Sequence, residues 1–318
     1  MWSSSTFCTF GLLVAGSFLS TDAFLPAKPS LVTKSTTASK PFTKYALDNV
    51  AILSQGYDRH YCSSTVLFMG WGPEPVWSTA TISTNDAANQ SGDSVAISVS
   101  VPPETAQEYT IPGQYVQIRL NEDTKPLFLA IASPPSPENA AFEFLIKKTE
   151  GNEWMTSATP GTALQISQVL GGGFPIAENI DGFKFDFPTQ NILLFAAGSG
   201  IAPLRAAIES GQLGVAQSGS GGRTARLYYG VRTEEDLCFV DKFSEWEASG
   251  VQVVPVLSQP GDGWAGRTGY VQNCLEEDGV PIPRNSGALL CGMKGMAESV
   301  TDILTKAGVF EGRVLTNF

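Results

Sequence analysis

Residues 192–204 read Ile-Leu-Leu-Phe-Ala-Ala-Gly-Ser-Gly-Ile-Ala-Pro-Leu. Residues 192–197 are all apolar and run directly into Gly198-Ser199-Gly200. A short apolar run bounded by glycines predicts a strand that is buried on both faces of a parallel sheet. Pro203 follows, and proline is well tolerated in the first turn of a helix. The stretch therefore predicts a strand, a glycine turn and a helix, in that order.

A glycine turn between a strand and a helix can bind the pyrophosphate of a dinucleotide. The free N–H groups and the positive end of the helix dipole face whatever lies over the turn. Glycines also let a phosphate approach the backbone closely. An ordinary turn is the alternative, because a single Gly-x-Gly is a weak motif. The rest of the chain has to decide between the two interpretations.

Downstream of this turn, predicted strands alternate with predicted helices. The strands are expected at 225–231, 251–257, 288–291 and 313–318, and the helices at 233–248, 271–277 and 296–306. This alternation predicts a doubly wound parallel α/β sheet, which binds ligands at the carboxyl ends of its strands. Arg232, Ser258 and Cys291-Gly292 all follow predicted strands. The Gly/Ser-rich loop 217–222 is predicted to be mobile.

Upstream of the turn, the chain has the pattern of a small antiparallel β-barrel. Short alternating strands separated by Gly/Pro turns are expected at 94–101, 115–120, 128–132, 142–148 and 164–167, with a short helix at 153–158. Gly171-Gly172-Gly173 ends this unit, either as a flexible connection or as backbone brought close to a cofactor. We therefore predict two domains, a β-barrel at 73–185 and the α/β unit at 190–318.

Composition narrows the chemistry. The 318 residues carry a formal charge of −11, which disfavours nucleic-acid binding. The five cysteines contain no C-x-x-C pair, so a zinc or iron–sulfur site is not expected. The single histidine, His60, lies in a segment that we predict to be removed. A mature chain without histidine has no Ser-His-Asp triad, and its chemistry is expected to come from a cofactor.

The first 70 residues are predicted to be a targeting leader. Residues 1–23 have the apolar core and small-residue end of a signal peptide, and that core is too short to span a membrane. Residues 24–70 resemble the transit part of the bipartite plastid leader of diatoms and related algae, which predicts the chloroplast stroma. A secretory signal followed by a disordered linker is the alternative. Residues 1–70 hold five of the 20 basic and three of the 31 acidic residues, so residues 71–318 carry 15 and 28, or about −13.

Residues 73–318 resemble the ferredoxin–NADP⁺ reductase superfamily, and within it the plastid reductase-like group first described as a kiwifruit fruit protein. The motifs that carry the resemblance are Pro112-Gly113-Gln114-Tyr115-Val116, Ile131-Ala132-Ser133, Gly198-Ser199-Gly200-Ile201-Ala202-Pro203, Tyr229-Gly230-Val231-Arg232, Gly269-Tyr270-Val271-Gln272 and Cys291-Gly292. The resemblance implies FAD on the barrel and NADPH or NADH on the α/β unit. Hydride would pass from the nicotinamide to the flavin, with the protein fixing the geometry.

The resemblance also implies roles for individual residues. Ser199 and Cys291 would lie beside the nicotinamide, with Cys291 acting by position and not as a reactive thiol. Phe318 would cover the flavin ring, or simply pack as a terminal residue. Arg232 would bind a phosphate, Ser258 the adenosine phosphate and Tyr270 the adenine. The full cofactor-binding set is Phe128, Leu129, Ala130, Ile131, Leu145, Ile146, Lys147, Gly198, Gly200, Ile201, Pro203, Arg232, Ser258, Arg267, Tyr270, Gly292 and Met293.

The sequence departs from the family pattern on the flavin side. The family's Arg-x-Tyr-Ser motif falls on residues 127–130, which are Leu-Phe-Leu-Ala. Phe128 would then supply part of the ring stacking, and Lys125 or backbone N–H groups the phosphate binding. Gln259 and Thr268 replace the basic residues typical of 2′-phosphate binding, but Arg267 adjoins Thr268, so both NADPH and NADH stay open. Thr316 occupies the position at which the family has a glutamate near its C-terminus.

Two functions follow from these observations. The first is a flavin-dependent NAD(P)H oxidoreductase that passes electrons to an unidentified small molecule or redox protein. The alternative is a non-catalytic nucleotide-binding module that has lost its flavin. Ferredoxin is acidic, so a mature chain near −13 is expected to couple to it weakly.

Overall fold

The computed structural model describes residues 74–176, 190–215 and 223–317, which belong to one compact unit. The predicted leader at 1–23 and 24–70, the predicted mobile loop at 217–222 and Phe318 lie outside the described residues. Within the described part of the chain, no helix combines the length and the apolar character needed to cross a membrane.

The first half of the described chain forms a nearly closed antiparallel barrel of six strands, as predicted. Its order is β4-β3-β6-β1-β2-β5. The strands are β1 (Trp77–Ala87), β2 (Ser94–Ser100), β3 (Tyr115–Arg119), β4 (Leu127–Ala130), β5 (Ala141–Lys147) and β6 (Ala163–Ser167), and the helices are α1 (Pro103–Glu108) and α2 (Glu153–Thr156). Alternate residues such as Ile97, Val99 and Phe144 point inward and fill the barrel core.

Two barrel elements are absent from the sequence prediction. The first is β1, an 11-residue strand that pairs with both β2 and β6 and bends at a register shift between Ile82 and Thr84. Polar residues dominate its sequence, so it has little hydrophobic signal. The second is α1, which begins with Pro103 and buries Thr105 and Ala106.

The second half forms the predicted parallel sheet. Its order is β10-β9-β8-β7-β11-β12, and all neighbouring pairs are parallel. The strands are β7 (Asn191–Ala197), β8 (Thr224–Val231), β9 (Val251–Leu257), β10 (Arg267–Thr268), β11 (Ser286–Cys291) and β12 (Val314–Thr316), and the helices are α3 (Ile201–Glu209), α4 (Phe243–Ala248), α5 (Val271–Asp278) and α6 (Lys294–Ala307). The order reverses between β7 and β11, and such a switch point opens a crevice for a ligand.

The apolar run 192–197 is buried on both faces, as its composition predicts. Ile192 and Leu194 pack into the core beneath α3 and α4, whereas Leu193 and Phe195 pack into the core beneath α5 and α6. Phe195 stacks on Tyr228 of the neighbouring strand at 5.2 Å between ring centroids. Full burial of the strand explains why its sequence does not alternate between polar and apolar residues.

The prediction of one helix over 233–248 is wrong. Residues 234–236 and 240–242 form short 3₁₀ turns, and only Phe243–Ala248 is α-helical. Phe239 adopts a left-handed conformation with φ of 59°, which interrupts any continuous helix. Thr233 and Asp236 form a capping box that closes the first 3₁₀ turn. The α-helix is therefore shorter than predicted and begins at Phe243.

Candidate nucleotide-binding cleft

A cleft of about 600 Å³ runs along the carboxyl ends of the parallel strands. Its lining from this sheet includes Ala197, Gly198, Ser199, Gly230, Val231, Arg232, Ser258, Gly269, Tyr270, Val271, Gln272, Met293, Gly295 and Met296. The barrel contributes Asp93, Ser94 and Lys147, and the loop after β8 contributes Asp236 and Cys238. The cleft therefore gathers seven of the residues expected at the site: Lys147, Gly198, Ser199, Arg232, Ser258, Tyr270 and Met293.

The two glycines of the Gly198-Ser199-Gly200 turn have different structural roles. Gly198 has φ of +55°, and a Cβ atom placed on it would meet nothing within 4 Å. Gly200 is buried, and a Cβ atom there would lie 2.2 Å from the carbonyl oxygen of Cys291. Gly198 thus leaves the turn open toward the cleft, whereas Gly200 lets the turn approach the end of β11 closely. The close approach at Gly200 is to backbone of the same chain.

Positive potential at the cleft comes from helix ends and one arginine. The turn leads into α3, while the first residues of α5, and Met293, Gly295 and Met296 at the start of α6, also line the cleft. Free N–H groups at helix N-termini favour anions. Two of the lining residues, Lys147 and Arg232, are cationic. Arg232 makes no ion pair among the described residues and is exposed, so its guanidinium can bind a phosphate.

On the barrel side, Lys147 is already paired. Its Nζ lies 2.7 Å from a carboxylate oxygen of Asp93, and Asp93 also accepts hydrogen bonds from Asn89 and Ser94. Burial alone would raise the pKa of Asp93, but these three donors outweigh it and hold the pKa well below the ordinary range. The pair neutralises the charge of Lys147, leaving it less available to a phosphate.

Several expected site residues have their side chains in the protein interior. Ile131 and Ile146 pack in the barrel core. Leu145 and Ile201 pack where the barrel meets the parallel sheet, together with Cys291. Pro203 is also buried. Side-chain contact with a ligand is not available to these residues, so any role at the site has to come from their backbone or from packing.

The expected flavin-side residues Phe128, Leu129 and Ala130 lie on β4 and do not line the cleft. Phe128 is 65% exposed and lies 6.1 Å from the ring of Tyr115, centroid to centroid. Leu129 is half-buried and packs against the barrel core. Phe128 therefore offers an aromatic face to a ligand. Leu129, which stands where the family motif has a tyrosine, offers no such face.

The open edge of β5 offers backbone groups. The N–H of Glu143 donates to Ser133 Oγ at 3.2 Å, and its carbonyl accepts from the N–H of Ala132 at 2.8 Å. Since successive strand residues direct their backbone groups to opposite sides, Leu145 points to the same edge as Glu143. None of the described residues hydrogen-bonds to Leu145 on that edge. Within the part of the chain that the structure describes, its N–H and carbonyl are therefore without a partner on this edge and can meet a ligand.

Arg267, expected to bind a cofactor, does not line the cleft. Its Nη2 lies 3.0 Å from carboxylate oxygens of both Glu277 and Asp278, and it also donates to the carbonyl of Cys274 at 3.3 Å. The two carboxylates on α5 compensate its charge. In this arrangement Arg267 holds β10 against α5.

The glycines at 171–173 are explained largely by packing. A Cβ atom on Gly171 would lie 2.7 Å from the Tyr115 ring, and one on Gly173 would lie 2.6 Å from the carbonyl of Pro112. Both have positive φ. These two positions need glycine for contacts within the barrel, so of the three only Gly172 has open space for a ligand.

Cys291 and Asn317 form a buried polar pair at the ends of β11 and β12. Burial raises the pKa of the Cys291 thiol to about 12, although a hydrogen bond from the Asn317 side chain lowers it in part. Asn317 Oδ1 is buried and accepts no hydrogen bond from any described residue. Gly292, next to Cys291, packs against Ala197 of the cleft lining. A buried amide oxygen that finds no donor among the described residues costs free energy of folding.

We predict that two buried thiols, Cys238 in the cleft lining and Cys291 at the end of β11, are unreactive. Burial raises the pKa of Cys238 to about 11, and that of Cys291 to about 12, so neither is a thiolate at neutral pH. Iodoacetamide at pH 8 should leave both unlabelled in the native protein, as read by peptide mass spectrometry. The same chain in urea is the control and should be labelled at both. Rapid native labelling of Cys291 would mean that the strand end opens to solvent.

Sequence reasoning missed Asp93, Asp236, Cys238 and Asn317. The first three reach the cleft from turns whose position depends on the barrel packing against the sheet, and no local pattern marks them. Asn317 directly follows β12, so its place beside Cys291 follows from the parallel pairing of β11 with β12. That pairing is the signal that could have found it. No cluster of metal-ligating side chains occurs within 74–176, 190–215 and 223–317.

Comparisons with known proteins agree with this architecture. A family model described as an oxidoreductase NAD-binding domain matches residues 194–302. The chain is 36% identical over 256 residues to the fruit protein pKIWI502 of Actinidia deliciosa, covering 77% of this chain and 76% of that protein. It is 26% identical over 216 residues to the ferredoxin–NAD(P)⁺ reductase component of the naphthalene 1,2-dioxygenase and salicylate 5-hydroxylase systems of Ralstonia, covering 64% and 58%.

A solved structure shows the same fold. The ferredoxin–NADP⁺ reductase of Neisseria gonorrhoeae, determined with bound FAD and NADP, superimposes with a TM-score of 0.60 at 16% identity. The likeness covers 76% of this chain and 97% of that one. It therefore extends over both the barrel and the parallel sheet.

Proposed function

Because this chain belongs to the ferredoxin–NADP⁺ reductase-like superfamily, in the group of the kiwifruit fruit protein, we propose that it is a flavin-dependent NAD(P)H oxidoreductase. Family and fold make it an FAD- and NAD(P)-binding oxidoreductase of the ferredoxin reductase type. The observation that carries the proposal is the cleft, in which Gly198, Ser199, Arg232 and Tyr270 converge from the ends of three strands, β7, β8 and β10. We propose the predicted domain limits, 73–185 and 190–318, for its two halves.

The residues of the cleft fit a nicotinamide dinucleotide. Arg232 and the free N–H groups of the helix ends bind its phosphates, and the exposed ring of Tyr270 stacks on the adenine. Ser199, exposed in the glycine turn, orients the nicotinamide. Together these contacts hold the reacting carbon in one position, which lowers the entropic part of the barrier.

The barrel fits a flavin through backbone and aromatic contacts. The free N–H and carbonyl of Leu145 bind the nucleotide part, and the exposed Phe128 covers the ring. Lys125, exposed in the turn before β4, is the cation nearest in sequence to the missing arginine. FAD, when bound, supplies a hydride acceptor that can release electrons singly. The role of Phe318 stays part of this proposal, since it lies beyond the described residues.

Charge in the cleft favours NADH over NADPH. Lys147 is paired with Asp93, and Arg267 lies outside the cleft, paired with two carboxylates. Among the described cleft residues, Arg232 is then the cation without an ion pair. One guanidinium binds one phosphate bidentately, so Arg232 cannot serve both the pyrophosphate and a 2′-phosphate.

The acceptor that we propose is a small molecule or a redox protein other than ferredoxin. Residues 71–318 have a net charge of about −13, so they repel an acidic partner such as ferredoxin. We also propose that residues 1–70 direct the protein to the plastid, as their composition suggests. A fluorescent fusion of these residues that accumulates outside plastids would reject this targeting.

The visible absorption spectrum of the purified full chain tests the proposal. We expect a bound flavin, or one taken up on incubation with FAD, and bleaching by NADH under anaerobic conditions, with NADPH less effective. A chain that stays colourless after incubation with FAD and FMN would sink the oxidoreductase proposal. Binding of NADH by that colourless chain would support the alternative, a nucleotide-binding module, which the apolar Leu127 and Leu129 favour.

Replacing Arg232 by glutamine should weaken NADH binding about tenfold, since a charge-assisted hydrogen bond to a phosphate contributes about 1.5 kcal/mol. Arg226, on the strand that Arg232 follows, is the matched control, because it is paired with Asp278 and does not line the cleft. Arg226→Gln should leave the dissociation constant unchanged. Fluorescence titration with NADH measures both variants, and equal weakening would show that Arg232 acts only through net charge.

A further inference from the structure

Arg205 is a buried arginine in α3, the helix that follows the glycine turn. Its side chain is 11% exposed, although arginine is among the residues least often buried. It lies five residues after Gly200, within the helix that starts at Ile201. Its burial therefore calls for compensating partners, and the structure supplies them from three segments: β5, α3 itself and the loop between β8 and α4.

The partners of Arg205 join the barrel to the α/β unit. Its Nη1 donates to Glu143 of β5 at 2.6 Å, and its Nε donates to both carboxylate oxygens of Glu209 at 3.0 and 3.1 Å. The guanidinium carbon lies 4.8 Å from the centre of the Phe239 ring. Trp246 of α4 donates to Glu209 at 3.2 Å. Among the described residues, Arg205–Glu143 is the only ion pair between the barrel and the α/β unit.

Glu143 and Arg205 each lie in a segment that is close in sequence to residues of the proposed site. Glu143 is two residues from Leu145, and its backbone is bonded to Ala132 and Ser133, which follow β4. Arg205 is on the helix whose first residues follow Ser199. A change in the Arg205–Glu143 distance thus moves the flavin-side strands relative to the nicotinamide-side turn.

We propose that Arg205 is a positioning residue, which through Glu143 sets the spacing between the barrel and the glycine turn over which hydride passes. This inference rests on the proposed function. Arginine suits the role because its planar fork reaches Glu143 and Glu209 at once, whereas a lysine ammonium is a single compact charge. Misplacement of reacting groups by about 1 Å can cost about a hundredfold in rate.

Glu143→Ala is the variant that tests it, because it keeps the Arg205–Glu209 pair within α3 and removes only the link to the barrel. We expect the limiting rate of flavin reduction by NADH, in anaerobic stopped flow, to fall about tenfold, with the NADH dissociation constant within twofold of the parent. The limiting rate of Glu143→Gln should lie between those of the parent and Glu143→Ala, since glutamine keeps a neutral hydrogen-bond acceptor for Arg205. Arg226→Met, which removes an ion pair within the α/β unit, is the control and should change neither quantity.

Hydrogen exchange gives a readout that does not need flavin. Amides of β5 and α3 should exchange at least several-fold faster in Glu143→Ala, and Arg205→Met should give the same pattern in the same two segments. Unchanged exchange in Glu143→Ala would overturn the proposed link between the two halves. Unchanged hydride transfer, or equal changes in rate and affinity, would overturn its role in spacing. If the parent chain binds no flavin, its visible spectrum shows this directly and the proposed function is rejected. The role of Arg205 in spacing for hydride transfer is then rejected as well.

Discussion

Replacing Gly200 by alanine is expected to destabilise the protein by about 3 kcal/mol, the upper range for overpacking a tight interior. The added methyl group would lie 2.2 Å from the carbonyl oxygen and 2.6 Å from the carbonyl carbon of Cys291. Both atoms are backbone of a central strand, so no side chain can rotate away. Equilibrium urea unfolding of the variant and the parent measures the loss.

Gly198→Ala is the matched control in the same turn. Gly198 has positive φ but open space around it, so alanine there should cost only about 1 kcal/mol through backbone strain. Nearly equal losses at the two positions would contradict the different roles assigned to them. They would mean that the two strand ends can separate enough to admit a methyl group.

Replacing Tyr270 by alanine is the second change with a large expected effect, on nucleotide affinity. Tyr270 is 58% exposed, lines the cleft and precedes α5. Stacking of a base on an aromatic side chain contributes about 1–3 kcal/mol, so the NADH dissociation constant should rise about thirtyfold. Isothermal titration calorimetry measures it directly.

Tyr270→Phe separates the ring from the hydroxyl. It should bind NADH as the parent does, because the ring provides the stacking. The stability of both variants should stay close to the parent, since the Tyr270 side chain makes no capping hydrogen bond to α5. Equal loss of affinity in both variants would show that the hydroxyl, and not the ring, makes the contact.

The strands of the parallel sheet were predictable because burial on both faces leaves a strong local signal. The expected strands at 192–197, 225–231 and 251–257 match β7, β8 and β9 to within one residue. By contrast, β1 has a polar sequence and is held by pairing with β2 and β6, partners distant in the chain. The expected helix at 233–248 is interrupted by an extended residue, Leu237, and a left-handed one, Phe239.

The site was predictable where it depends on strand ends. Gly198, Ser199, Arg232 and Ser258 were expected together, because the carboxyl ends of parallel strands lie at one edge of the sheet. Asp93 was not expected, because it enters the cleft only through the packing of the barrel against the sheet. The roles of individual residues at this site stay predictions until the variants above are measured.

By itself, the sequence determined which edge of the parallel sheet carries the candidate cleft, since local periodicity and glycine turns define where each buried strand ends. Only the tertiary structure decided which charges at that edge are available. Arg232 and Arg267 read alike in the sequence, yet Arg267 is paired with Glu277 and Asp278 of α5, while Arg232 faces the cleft. The physical reason is that ion pairing depends on distances of a few ångströms between residues whose approach the whole fold sets.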